Sequence, residues 1–153
     1  MQFSVRGRNA FATTGGRPFD AAQPAIVFIH GASFDGTVWK LMTRYFAWRE
    51  RAVLALDLPG HGRSEGPPLT SIEEMADWVV AALDALDVAG AALVGHSMGS
   101  LVALDAAGRH PERATALALL GTSFPMPVSD VLLNSSEANE HLAMDLINSW
   151  GYG

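Results

Sequence analysis

Five consecutive residues, Gly95-His96-Ser97-Met98-Gly99, carry the clearest chemical signal in this chain. They follow an apolar run, Ala91-Ala92-Leu93-Val94, and precede a second, Leu101-Val102-Ala103-Leu104. A G-x-S-x-G between a strand and a helix puts its serine on a tight turn, with the hydroxyl projecting above the sheet and available as a nucleophile. The flanking glycines suit that turn sterically, because side chains there would meet the adjoining strand and helix. The plainer alternative is a Gly-rich strand-to-helix turn whose serine only caps the helix. Two further loops could join Ser97 in chemistry. One is His30-Gly31-Ala32; the other is Asp57-Leu58-Pro59-Gly60-His61-Gly62-Arg63-Ser64.

Each of these loops needs an element to hold it. Ala25–Ile29, Ala52–Leu56, Ala91–Val94 and Ala114–Leu120 are continuous apolar runs of strand length, the pattern of strands buried on both faces of a parallel sheet. Residues 2–6 and 9–13 form a more modest strand pair, followed by the Gly15-Gly16 turn. Between the buried strands lie three helical patterns. Val38 to Trp48 places Val38, Leu41, Met42, Tyr45 and Phe46 at helical spacing. The second starts at Thr70 or Ser71, with Glu73 or Glu74 completing a capping box, and carries the stripe Ile72, Met75, Ala76, Val79, Val80, Leu83 and Leu86. Met98 to Arg109 is a small-residue apolar helix stopped by Pro111. The order β-α-β-α-β-α-β predicts an α/β fold with a mostly parallel sheet and flanking helices. After Pro125 the texture changes, and Val128–Leu133 and Glu137–Trp150 read as two amphipathic helices. Residues 1–124 thus read as one α/β part and residues 125–153 as a helical addition.

Composition narrows the function classes. A chain of 153 residues, 49% apolar and 17% charged, has enough material for one core and is not disordered. A net charge of −6 argues against nucleic-acid or anionic-membrane partners. With no cysteine, disulfides and thiolate chemistry are excluded. Scattered histidines and the absence of an H-E-x-x-H pattern argue against a metal site, and no phosphate-binding or dinucleotide motif implies an organic cofactor. No signal-peptide pattern opens the chain and no apolar run has membrane-spanning length, so a soluble, cytoplasmic protein is expected.

All three chemically suggestive loops follow carboxyl ends of predicted parallel strands, where open α/β sheets place their sites. In this order and spacing the set resembles the α/β-hydrolase fold, in particular its serine esterase and lactonase-like branch with a helical cap. The likeness covers about residues 20–125, the N-terminal part of that fold, ending in cap helices. The resemblance implies that Ser97 is the nucleophile, that Gly95, His96 and Gly99 complete its elbow, and that the backbone N–H groups of Met98 and Ala32 form the oxyanion hole. His30 and Gly31 would order the loop carrying Ala32. Asp57 would order its own loop, and His61 would be structural. His96 should point away from the Ser97 hydroxyl, His110 should face solvent, and His141 should pack at the surface or in the cap. Trp39, Phe34 and Met126 are candidates for an acyl pocket, with core packing the plainer role for each.

In this family the acid and the histidine follow the nucleophile on later strands. They are expected beyond Gly153, as are the last strands of the sheet. The resemblance therefore implies an incomplete sheet, with an open edge prone to self-association or to completion by a second chain. A triad built from Asp130 or Asp145 with His110 or His141 would lack the family positions. The implied activity is cleavage of a small ester, lactone or related acyl substrate. Carbon–carbon hydrolysis and cofactor-free perhydrolysis use the same elbow, whereas dehalogenases and epoxide hydrolases carry aspartate there. A non-catalytic binding or interaction fragment on the same scaffold is the reading from a different class.

Overall fold

The computed structural model describes residues 1–151, without side-chain detail for the last two of these. The chain divides into two units, Met1–Thr122 and Ser123–Gly153. The first is built on six strands: β1 (Gln2–Val5), β2 (Arg8–Thr13), β3 (Ala25–Ile29), β4 (Ala52–Asp57), β5 (Ala91–His96) and β6 (Ala114–Leu120). Their order in the sheet is β1-β2-β4-β3-β5-β6. The pairs β4–β3, β3–β5 and β5–β6 are parallel, while β1–β2 and β2–β4 are antiparallel. The sheet is thus mostly parallel, as the apolar runs predicted.

Alternation along the central strands sorts their side chains onto two faces. Val27, Ile29, Leu54, Leu56 and Leu93 share a core with Ala76, Val79 and Leu83 of α2 (Ile72–Ala85) and Val102, Ala103 and Ala106 of α3 (Met98–Arg109). On the other face Phe28, Val53 and Ala55 pack with Trp39 and Ala47. Trp39 ends a 3-10 turn, Gly36–Trp39, and Ala47 ends α1 (Lys40–Ala47). The Phe28 and Trp39 rings lie 5.1 Å apart.

The α2 start follows the expected capping logic with a one-residue offset. Ser71 Oγ accepts from Glu74 N–H, and the Glu74 carboxylate accepts from Thr70, not Ser71. The helix expected over Val38 to Trp48 forms as the 3-10 turn running into α1. Of its apolar residues Phe46 packs against the core, Val38, Leu41, Met42, Tyr45 and Trp48 are 48–77% exposed, and Trp39, Thr43 and Ala47 are buried.

At the sheet's far edge β6 pairs only with β5 among the described residues. Leu117, Leu119 and Leu120 are about two-fifths exposed, so neither face of this strand is fully covered. In the second unit, α4 (Asp130–Glu137) is capped by Ser129 Oγ, which accepts from Leu132 N–H. The last helix is α5 (His141–Gly151). Asn139 adopts φ 54° and breaks the chain between them, so the second helix starts four residues later than its apolar pattern suggested.

Candidate active site

The carboxyl ends of β3, β4 and β5 bring the three suggestive loops to one end of the first unit. Ser97 sits between β5 and α3 with φ 53° and ψ −122°, a conformation non-glycine residues rarely adopt. Its N–H donates to Leu120 O of β6 at 2.9 Å, and its carbonyl accepts from Ser100 N–H at 2.9 Å and Ser100 Oγ at 2.5 Å. The turn is therefore held by main-chain bonds on both sides. The Ser97 side chain makes no capping bond to α3, unlike Asp35, Ser71 and Ser129 at their helix starts. Ser97 is half-buried as a residue, and among the described residues no imidazole or carboxylate bonds to its hydroxyl.

The glycines around it have steric reasons. A Cβ on Gly95 would overlap Gly99 O and lie 2.5 Å from Gly99 C. A Cβ on Gly99 would overlap Ile29 O and lie 2.5 Å from His30 O. Strand, turn and helix therefore meet backbone to backbone. Gly31 brings the neighbouring loop close as well, since a Cβ there would stand 3.3 Å from Ser97 Cβ and 3.2 Å from His96 Nδ1. Met98 is the first residue of α3, and exposed Ala32 follows Gly31.

His30 is fully buried. Its Nε2 accepts from Leu58 N–H at 3.1 Å, so Nδ1 carries the proton and donates to Gly31 O at 2.8 Å. Burial holds the imidazole below its usual titration range, and it is a neutral hydrogen-bonding group. His61 lies beside it, ring centroids 5.0 Å apart and planes tilted by 53°, with its Nδ1 3.1 Å from Pro59 O. Asp57, 4% exposed, accepts from Gly36 N–H and Arg63 N–H, both at 2.8 Å. Its own carbonyl accepts from Ser64 Oγ at 2.6 Å.

The other singled-out residues lie elsewhere. His96 is half-buried between Gly31 and Gly121, the latter 3.6 Å from the ring if given a Cβ. His110 does not simply face solvent. It is about two-thirds buried, with Nε2 3.4 Å from the Asp77 carboxylate, because Asp77 of α2 lies against the end of α3. Trp39 belongs to the core with Phe28, and its Nε1 is buried without a partner. Phe34 is half-buried in the loop after Ala32. Met126, Asp130, His141 and Asp145 belong to the second unit. No cluster of three or more metal-ligating side chains occurs among the described residues. No helix there is long and apolar enough to cross a membrane. The grip of Asp57 on Gly36 had no local sequence signal, since 21 positions separate the two.

The chain is similar to several known proteins. The chain is 41% identical over 99 residues to the dihydrolipoyllysine-residue acetyltransferase component of the acetoin cleaving system of Pseudomonas putida, covering 64% of this chain and 26% of that protein. It is 38% identical over 109 residues to the 2-hydroxymuconate semialdehyde hydrolase of Pseudomonas sp. (strain CF600), covering 66% and 38%. Among solved structures, an N-acyl homoserine lactone degrading enzyme superposes with TM-score 0.71 at 31% identity, covering 90% of this chain and 52% of the other. The chain thus spans between a quarter and about half the length of these relatives. A family profile for the alpha/beta hydrolase fold matches residues 24–146, which takes in β3 to β6 and every loop of the site. The chain belongs to the alpha/beta hydrolase fold family.

Proposed function

We propose that this chain carries the nucleophile-bearing half of a serine hydrolase acting on a small ester, lactone or related acyl substrate. The observation that supports this best is Ser97 itself. It is held in a strained conformation at the strand-to-helix turn, and its hydroxyl is not used to cap α3. In this reading Ser97 Oγ attacks the substrate carbonyl carbon while a general base takes its proton. The carbonyl π electrons move to oxygen, where the N–H groups of Met98 and Ala32 receive the charge. The amino end of α3 adds a favourable dipole at the same place. Collapse of the tetrahedral intermediate expels the alcohol with a proton from the base, and water then cleaves the acyl-enzyme. The lactone reading draws on the structure matched at 31% identity.

The acid and base of this reaction come from outside the described residues. We propose that they arrive on strands pairing with the open β6 edge, from further sequence of the same protein or from a second chain. Labelling with a fluorophosphonate probe, beside Ser97→Ala, tests the whole. A form of the protein carrying those strands is expected to label at Ser97, and its failure to do so refutes the hydrolase reading in favour of a binding role. The present chain alone is expected to label at least about a hundredfold more slowly, as removal of a triad member does.

A further inference from the structure

The loop that presents Ala32 runs from Gly31 to Asp35, and two consecutive residues of the β4 end hold both of its flanks. At the near flank, Leu58 N–H donates to His30 Nε2, and His30 Nδ1 donates to Gly31 O. At the far flank, the Asp57 carboxylate accepts from Gly36 N–H. The other Asp57 oxygen accepts from Arg63 N–H, so the carboxylate is itself fixed from the opposite side. Within the loop Phe34 N–H donates to Gly31 O at 3.3 Å, Asp35 accepts from Thr37 and Val38 N–H, and Ser33 lies in the left-handed region at φ 63°. A segment with a strained residue keeps one shape only when its surroundings impose it.

We propose that Asp57 and His30 are the positioning residues of the Ala32 loop, and that the His30 grip works only with a neutral imidazole, so that acid releases the loop at that flank. The proposal rests on the reading above for the role of Ala32, but the latch itself is a property of the fold. Its chemistry is simple. A protonated imidazole has a hydrogen on both nitrogens, so Nε2–H would then point at Leu58 N–H, donor against donor. The charged and titratable groups facing His30 are His61, whose ring lies beside it, and the carboxylates of Asp57 and Asp35. Burial opposes protonation most strongly, a charged His61 opposes it further, and the two carboxylates favour it. The folded His30 thus titrates below its ordinary 6.5, whereas the unfolded one titrates near that value. Between those two points the unfolded chain binds the extra proton, so stability is complete above 6.5 and declines as pH falls toward the folded value.

The test is nitrogen-15 NMR on the full chain from pH 8 to pH 4. It follows the His30 ring, amide exchange and backbone order parameters, with Leu54 N–H in the β4 interior as internal reference. Wild type is expected to keep Nε2 unprotonated at pH 7, with Ala32–Asp35 at order parameters near ~0.85, typical of rigid backbone. As His30 protonates, Leu58 N–H should exchange at least about tenfold faster relative to Leu54, and the loop order parameters should fall toward ~0.6. Asp57→Asn, which puts an NH₂ against one of two N–H groups, should loosen Gly36 and the loop at pH 7 while Leu58 stays protected. A merely structural role would weaken both flanks and Leu54 together. Protonation of His30 with Leu58 exchange unchanged overturns the latch, and so does a folded Asp57→Asn with an unaltered loop. If Asp57→Asn does not fold, the wild-type series decides alone. A loop that responds in a protein whose Ser97 never labels leaves the latch standing and refutes the hydrolase reading instead.

Discussion

The same substitution at two positions of α3 should have opposite effects. Gly99 lies on the first turn against β3, where an added methyl would overlap Ile29 O and sit 2.5 Å from His30 O and 2.8 Å from Ile29 C. Reaching the 3.4 Å of ordinary contact requires the helix and strand to part by nearly 1 Å. The obstacles are backbone carbonyls of a buried strand and cannot rotate aside, while Val102, Ala103 and Ala106 tie the rest of α3 to the core. Overpacking of this kind typically costs about 1–3 kcal/mol, and backbone obstacles place Gly99→Ala at the upper end. A loss of about 3 kcal/mol lowers the folded-to-unfolded ratio by roughly 150-fold. Gly108, nine residues on, is exposed, and a methyl added there would have nothing within 4 Å. Gly108→Ala should therefore stabilise by about 0.5–1 kcal/mol through helix propensity alone. Equilibrium urea denaturation followed by helical circular dichroism measures both, with the slope checked for constancy. A Gly99→Ala protein within about 0.5 kcal/mol of wild type would refute the backbone-contact reasoning. So would a Gly108→Ala protein less stable than wild type.

Ser97→Gly should relieve the strained turn, worth about 1–3 kcal/mol, against a Gly entropy cost of about 0.5–1 kcal/mol. A net gain of about 1 kcal/mol in urea denaturation, with loss of probe labelling, is expected; a destabilised variant would mean the turn is not strained. Arg113 donates to Asp84 and to the carbonyls of Val88 and Ala89, so it ties the end of α2 to the entry of β5. Arg113→Ala should cost about 2 kcal/mol by the same measurement, as charged hydrogen bonds to backbone do. Hydrogen bonding to the Arg109 guanidinium holds the exposed Asp77 carboxyl below its ordinary 3.8. The associated stabilisation is present above 3.8 and lost as pH falls through the lowered value. Arg109→Leu should move the carbon-13 titration of Asp77 back up toward 3.8, and an unmoved midpoint would exclude this pairing in solution.

The strands were legible because their burial in the sheet makes Ala25–Ile29, Ala52–Leu56 and Ala91–Val94 continuous apolar runs, separated by helix-bearing crossovers. The small residues of α3, legible in the sequence, are what let it meet the end of β3 backbone to backbone at Gly99. Periodicity marked the helix at α1 without naming its buried face: Phe46 packs against the core, the other large apolar side chains are exposed, and Trp39, Thr43 and Ala47 are buried. His110 was misjudged for a related reason, since its partner Asp77 lies 33 positions away and only helix packing joins them. The polar braces of the site have the same long-range character. Asp57 to Gly36 and Leu58 to His30 span 21 and 28 positions, and no local pattern encodes either.

The backbone contact among Gly95, Gly99 and the end of β3 has a consequence for adaptation. What fixes the turn is main chain, while Ala32 is exposed and His96 half-buried, neither belonging to the core clusters. The framework and the surface it presents are therefore made by different atoms. A saturation library at those two positions should retain folded, well-behaved protein for most replacements, whereas one at the two elbow glycines should not. Such a scaffold can explore new binding preferences by exchanging side chains without rebuilding the framework beneath them, a form of evolvability that arises from where the glycines sit.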